Sequence, residues 1–318
     1  MSEIYNLMSD GELNDQLADS LLNRDLEQKF LYLGEGADLY YENKDADTIY
    51  IKNDINSKDL VKLWKKNEGK HKKICFISLG CGNSSMEKDL FLEIESKYNL
   101  DYIGVDSSKD MLDMSIKNLS KITNIKQSFI CADIFTNEFR RELDQFTKDY
   151  DKRIFVFFSN TFGNKNHTKI IDILYNLLHK GEEIWVDVRL RKGTSAKDDM
   201  VACEYYHNWL KTKEQINLYF HPLKNLGIPF ENGKMVLTTH KEKALNALKF
   251  QFSFVLNKKT NIKIRSDKIT ILPQERIELQ QIYTYDKDGL INFFKEHNFK
   301  LKENIIKDGR GVFIFEKI

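Results

Sequence analysis

Between residues 73 and 190, short apolar runs alternate with amphipathic stretches. ICFISLG (74–80), DYIGVD (101–106), KQSFICAD (126–133), RIFVFFSN (153–160) and EEIWVDVRL (182–190) read as strands rich in Ile, Val and Phe. Segments of helical period lie between them, at about 85–98, 108–120, 136–147 and 166–179. Strands that are apolar along their whole length and separated by helices predict βαβ crossovers and a parallel sheet covered on both faces. Upstream, Leu13, Leu17, Leu21 and Leu22 recur at helical spacing, with Phe30, Leu31, Leu39 and Tyr40 at looser intervals, so residues 9–45 read as helical. A second amphipathic helix is predicted over 56–67, capped by Asn56 or Ser57.

After Arg191 the rhythm changes. Residues 196–227 keep a helical pattern, and then KMVLTTH, LKFQFSFVLN, NIKIRSDKITIL and RIELQQIYTY take on strand character. Their alternation predicts a small antiparallel sheet with one wet face. A helix (286–299) and two closely spaced strands, LKENIIK and GVFIFEKI, end the chain. The fold class expected is α/β: a Rossmann-like sheet from 68–190 plus 285–318, and a second α+β domain from 1–67 plus 191–284.

Composition narrows the partners. At 318 residues, 41% hydrophobic and 31% charged, the chain has the makeup of an ordinary globular protein. A formal net charge of +1 supplies no global field for nucleic acid or membrane, and the Lys runs at 62–66 and 70–73 read as solvated surface. The four cysteines, Cys75, Cys81, Cys131 and Cys203, form no CxxC and no zinc-like cluster with histidine, so no metal is expected. The acidic start MSEIYNLMSDGELNDQ lacks the basic and apolar parts of a signal peptide, and no apolar run is long enough to span a bilayer. These features predict a reduced, cytoplasmic monomer acting on a small molecule.

The candidate chemistry lies at three successive strand ends. The first strand runs into Ser78-Leu79-Gly80-Cys81-Gly82-Asn83-Ser84-Ser85, where Gly80 and Gly82 allow a tight turn against a ligand at a helix N-terminus. An ordinary strand-to-helix turn can carry the same pair. Asp106 ends the second strand, 24 residues after Gly82, where a carboxylate can accept both ribose hydroxyls; a plain helix cap is the alternative. Asp133 ends the third, placed to accept from an adenine amino group with Ile134 or Phe135 packed on the ring; a turn-forming Asp is the alternative. Together these predict a nucleoside site.

NAD competes for the same pattern, because Gly80-x-Gly82-x-x-Ser85 is one residue from GxGxxG. The serine in place of the third glycine, the position of Asp133, and the terminal helix with two strands favour S-adenosyl-L-methionine and a class I methyltransferase sheet. The other readings kept open are an NAD-type nucleotide-binding protein, a non-catalytic binding module and a methyltransferase of peptides.

The sequence resembles the histidine-specific S-adenosylmethionine-dependent methyltransferases, the family that trimethylates the α-amine of histidine in ergothioneine synthesis. KFLYLGEGADLYYE (29–42), LGCGNSSMEKDLF, CADIF, VFFSNTFGN, YYHNWLKTKEQINL and the closing GRGVFIFE resemble that family's blocks in order and spacing. The resemblance implies that Tyr32 and Lys88 contact the cofactor, although two extra residues precede Lys88. It implies that Asn164 and Tyr206 hold the substrate's amino-acid head group, and that Tyr50 is a further substrate tyrosine. The family's imidazole-reading E-I-S segment corresponds here to Gln281-Ile282-Tyr283. Loss of the carboxylate removes an acceptor for an imidazole N–H, and Tyr283 fills the space of a ring. The resemblance therefore implies an N-methyltransferase of an amino acid or related amine, histidine being one candidate among several.

The chemistry it implies is in-line displacement by a neutral amine, with no metal and no covalent intermediate. His167 and His207 lie near the relevant segments and are expected on the surface. By this reading Asp106→Ala weakens binding of S-adenosylhomocysteine by at least about 1.5 kcal/mol in calorimetry. Unchanged affinity, or tight NAD binding with no response to S-adenosylhomocysteine, would contradict it.

Overall fold

Eight strands form the large sheet of the computed structural model, which describes residues 4–43, 55–67, 73–94, 99–159, 161–164, 166–264 and 266–318. They are β1 (Ile4–Asn6), β2 (Ile74–Leu79), β3 (Leu100–Asp106), β4 (Lys126–Cys131), β5 (Lys152–Phe157), β6 (Glu183–Arg189), β12 (Phe299–Lys307) and β13 (Arg310–Lys317). Their order is β1-β4-β3-β2-β5-β6-β13-β12, parallel as far as β6. β13 runs antiparallel to both β6 and β12, the closing hairpin of a class I methyltransferase sheet. All six residues of β2 are buried, as expected for a central strand covered on both faces. Crossover helices follow β2 to β5: α4 (Ser85–Ile94), α5 (Lys109–Leu119), α6 (Asn137–Thr147) and α7 (His167–Leu177). Ser108, Thr136 and Asn166 cap the last three through their side chains. Because β3 lies on one side of β2 and β5 on the other, the connections after β2 and β5 diverge and leave a cleft at the carboxyl edge.

The second unit is built on three antiparallel strands, β7 (Gly233–Glu242), β8 (Ala247–Leu256) and β11 (Arg276–Thr284), in the order β11-β8-β7. A separate hairpin joins β9 (Thr260–Ile264) to β10 (Asp267–Ile271). The single sheet with a wet face expected from the sequence is therefore divided. Its central strand is dry: Phe250, Phe252 and Phe254 enter one core, and Gln251 and Ser253 are buried as well. Alternation marked two faces correctly but could not say that both would be covered.

Against those strands pack α1 (Asp10–Leu22), α2 (Glu35–Asn43), α8 (Ala196–Leu210) and α9 (Lys213–Asn225), with Leu21, Phe30, Leu31, Tyr206 and Trp209 in one core. The continuous helical stretch read over 9–45 is broken in the middle. Arg24 takes φ +58° and Gly34 φ +56°. Between them Leu26 donates to the Glu278 carbonyl (2.8 Å) and Glu278 donates to the Arg24 carbonyl (2.8 Å), so the chain docks on β11 before a 3-10 turn over Gln28–Tyr32. The Arg24 guanidinium holds the break by donating to the Leu21 and Thr270 carbonyls at 2.6 and 2.9 Å.

Two N-terminal elements grouped by the sequence with 191–284 sit instead on the large sheet. β1 pairs in parallel with β4 and lengthens its edge. α3 (Ser57–Asn67) buries Leu60, Leu63 and Trp64 in the core that holds Phe76 and Trp185, and the Lys307 ammonium meets its Asp59 (2.5 Å). Amphipathic spacing identifies a helix and its apolar face, but not which of two cores receives that face. Among the described residues no helix is long and apolar enough to cross a membrane.

One buried carboxyl stands out beneath the sheet's carboxyl edge. Glu87 on α4 accepts from the Ser78 hydroxyl (2.5 Å), and burial raises its pKa to about 7, against the opposing effect of that bond. A carboxyl whose folded pKa exceeds its unfolded one stabilises the fold while protonated, and that contribution is lost as pH rises from about 4.5 through about 7. Glu87→Gln, which cannot ionise, removes this loss. The stability difference between variant and wild type is expected to move in the variant's favour by on the order of 3 kcal/mol across that range in denaturant titrations. A pH-independent difference would show that Glu87 titrates normally. Trp64→Ala is expected to cost about 3–5 kcal/mol in the same assay; a loss under about 1 kcal/mol would mean that α3 is not part of the large-sheet core.

Candidate active site

The cleft at the carboxyl edge is a cavity of about 1060 Å³ including its mouth. Gly80, Gly82, Asp106, Asp133, Ile134 and Tyr32 all line it, so the three strand ends read from the sequence converge on one site. Gly80 adopts φ +67° and Gly82 φ +52°, a region that glycine enters without strain. At Gly80 a Cβ would also stand 2.7 Å from Thr161 Cγ2, so the turn after β2 and the turn after β5 touch only because this residue has no side chain.

Asp106 fixes the geometry of the nucleoside end. One carboxylate oxygen accepts from the Gly82 N–H and the other from the Ser108 N–H, both at 2.9 Å. Burial raises its pKa, while those backbone N–H groups pull it down. A half-buried carboxylate with residual acceptor capacity suits a pair of ligand hydroxyls, which would further favour its ionised form. Asp133 is held from two sides: Oδ1 accepts from the Phe135 N–H (3.0 Å) and Oδ2 from the Lys29 ammonium (2.7 Å). An amino group bound there would share the carboxylate with Lys29.

The N-terminal turn closes the cavity. The Ser108 hydroxyl donates to the Tyr32 carbonyl (2.6 Å), and the Gly34 N–H donates to Asp110 (2.7 Å). Tyr40 packs edge-on to Tyr32 with ring centroids 5.0 Å apart. Burial pushes the Tyr32 phenol well above its usual pKa, so it stays protonated. Gln28, Lys29, Met111 and Thr161 line the cavity without having been singled out by the sequence, whose periodicity marks Phe30, Leu31 and Tyr40 but says nothing of the two polar residues before Phe30.

Opposite this turn, Ser159 follows β5 in a left-handed conformation (φ +55°). Its N–H donates to Asp187 Oδ2 (2.7 Å), and that fully buried carboxylate is also bound by Arg310, Nε to Oδ1 at 2.6 Å. This brace sets the start of the segment that ends in the 3-10 turn Thr161–Asn164. Asn164 thus belongs to the turn at the carboxyl end of β5, while its side chain lies outside what is described.

Of the remaining sequence candidates, Lys88, Tyr206, Gln281 and Tyr283 are not on the cavity wall. Lys88 is half-buried on α4. Tyr206 is fully buried against Phe250, and its hydroxyl stands 3.4 Å from the Arg189 guanidinium. Gln281 is half-buried on β11 opposite Gln251. Tyr283 is buried edge-on to His167, ring centroids 4.4 Å apart. Tyr50 lies outside the described residues.

His207 is exposed, but His167 is not the surface residue expected. It sits among Phe162, Tyr283, Tyr285 and Phe293, with Nε2 2.7 Å from the Tyr285 hydroxyl. Burial, aided by the charge of Lys249, lowers its pKa to about 3, so it is neutral and a poor base. α7 buries Ile170, Ile171 and Leu174 in the core, and Phe162, Tyr283, Tyr285 and Phe293 cover His167 at the helix start as well.

The chain is similar to several solved methyltransferase structures at low identity. A SAM-dependent methyltransferase from Methanosarcina mazei shares 13% identity, covering 78% of this chain and 93% of its own, with a TM-score of 0.40. The CcbJ methyltransferase from Streptomyces caelestis shares 12% identity over 80% and 93% of the two chains (TM-score 0.40). The 1,6-didemethyltoxoflavin-N1-methyltransferase from Burkholderia thailandensis, whose structure holds 1,6-didemethyltoxoflavin and S-adenosylhomocysteine, shares 9% over 98% and 91% (TM-score 0.41). None of the curated proteins matches the chain. The model of the family described as histidine-specific methyltransferase, SAM-dependent, matches residues 13–315. Spanning both units and the cleft between glycine turn, Asp106 and Asp133, that match shows that this chain belongs to the histidine-specific methyltransferase family and is an S-adenosylmethionine-dependent methyltransferase.

Proposed function

We propose that the chain methylates the amine of an amino acid or a related small molecule. S-adenosylmethionine, when bound, supplies a methyl group already activated by its sulfonium charge. The residues of the chain then have three tasks: to hold the cofactor, to orient the amine and to exclude water. Gly80, Gly82, Asp106, Asp133, Ile134 and Tyr32 are assigned to the first task. Asn164, on the turn after β5, and Tyr206 are assigned to the head group of the substrate.

The observation that carries an amino-acid substrate is the cation at the end of β6. The Arg189 guanidinium donates to the Tyr206 hydroxyl at 3.4 Å. A guanidinium and a phenol together suit a carboxylate, to which arginine can donate two parallel N–H bonds. The β11 segment supports an amine outside the strict histidine class. Gln281 offers a neutral amide where a carboxylate would bind an imidazole, and Tyr283 is taken up by the His167 ring.

A screen of amino acids and biogenic amines with methyl-labelled S-adenosylmethionine tests the reading. The expected result is an N-methyl product, with an α-amino acid preferred over the amine lacking its carboxylate. Arg189→Met is expected to raise KM for the amino acid by about 10- to 100-fold, the equivalent of one charge-assisted bond, and to narrow that preference. Label appearing only in peptides, or no transfer to any amine, would overturn the proposal.

A further inference from the structure

Gln28 carries a buried polar atom that the protein itself does not satisfy. The residue opens the 3-10 turn Gln28–Tyr32 and is 8% exposed, with its side chain on the cavity wall. Its Nε2 donates to the Tyr32 hydroxyl at 2.8 Å, which orients the amide. The other end, Oε1, is buried and has no hydrogen-bond partner among the described residues. Leaving a buried carbonyl oxygen unpaired costs about 1–3 kcal/mol, so an acceptor kept in this state at the edge of a ligand cavity points to a donor that arrives with the ligand.

The surroundings restrict that donor. Lys29 is already bound by Asp133, Gln16 and Glu27, at 2.7, 2.6 and 3.0 Å, and does not compete for Oε1. The Tyr32 phenol stays protonated. The wall at this point therefore presents a neutral acceptor. For a methyl-accepting amine that matters, because a carboxylate in contact with it would favour the ammonium form and withdraw the lone pair. An amide oxygen binds an N–H while favouring the charged form much less.

Resting on the amine reading above, we propose that Gln28 is the substrate-amine residue: its Oε1 accepts an N–H of the incoming amine and holds the lone pair free for the methyl group. This gives the N-terminal turn a role in selection as well as in closing the site, and it commits the substrate to a primary or secondary amine with an N–H to donate.

The test uses the full-length chain, with Gln28→Leu and Gln28→Glu compared with wild type on the best amine from the screen. Gln28→Leu is expected to raise KM for that amine about 10-fold, while S-adenosylhomocysteine affinity by calorimetry stays within about twofold, the latter also reporting that the variant is folded. Gln28→Glu keeps the length and the reach to Tyr32. It is expected to move the acid limb of the kcat/KM profile to higher pH, because a carboxylate raises the pKa of the amine it touches. Lys29, Asp106, Asp133 and Arg189, the charged groups around this wall, are the same in wild type and variants. Weakened S-adenosylhomocysteine binding with an unchanged KM would make Gln28 a cofactor residue and overturn the proposal. An unshifted pH profile together with an unchanged KM would overturn it as well, with the amine reading intact. A wild type that methylates no amine would overturn both.

Discussion

The carboxylate of Asp106 joins the parts of this molecule that make the site. It takes the Gly82 N–H from the turn after β2 and the Ser108 N–H from the start of α5. Ser108, through its hydroxyl, then holds the Tyr32 carbonyl of the N-terminal turn. A charge drawn out of water is tolerated only where donors surround it, so the partial burial of Asp106 and its bonding depend on each other. The same carboxylate thereby positions the glycine turn, the capped helix and the segment that closes over them. Two backbone donors leave it capacity for further hydrogen bonds on the cavity side.

The closing segment is tied down a second time, at Asp133. Lys29 is nearly buried there, and its bonds to Asp133 and Gln16 link β4 of the large sheet to α1 of the second unit. The two cores therefore meet around the cavity through polar contacts of the 25–34 stretch. That stretch can follow such a path because it leaves the helix at Arg24, docks on β11 and turns at Gly34. Opposite it, the Arg310–Asp187 pair holds the Ser159 backbone. Both sides of the cavity are thus anchored by carboxylates, a half-buried one at the end of β3 and a fully buried one within β6.

Much of this was legible in the residues. Apolar runs identified β2 to β6, nearly unbroken in β2 and confined to the second half of β4, because a strand segment buried on both faces has no polar side to interrupt it. Gly80, Gly82, Asp106 and Asp133 were legible as one cluster because each stands at a strand's carboxyl end, and parallel strands bring those ends to one edge. Other features had no such local signature. Gln28 and Lys29 are ordinary polar residues within a helical pattern, and His167 is an ordinary histidine beside a helix cap. α3 has an apolar face that suits either core.

What the sequence by itself determined, then, is whatever repeats with a local period or sits at a fixed offset from it: the strands, the crossover helices, the glycine turn and the two strand-end aspartates. The tertiary structure decided where the helical run of 9–45 breaks, which core receives α3, that His167 is buried and neutral, and that Gln28 on the cavity wall keeps a buried oxygen unpaired. The physical reason is the range of the interactions. Periodicity records a residue's relation to its own segment, whereas burial and hydrogen-bond satisfaction depend on partners distant in the chain, such as Glu278 for the break and Tyr283 for His167.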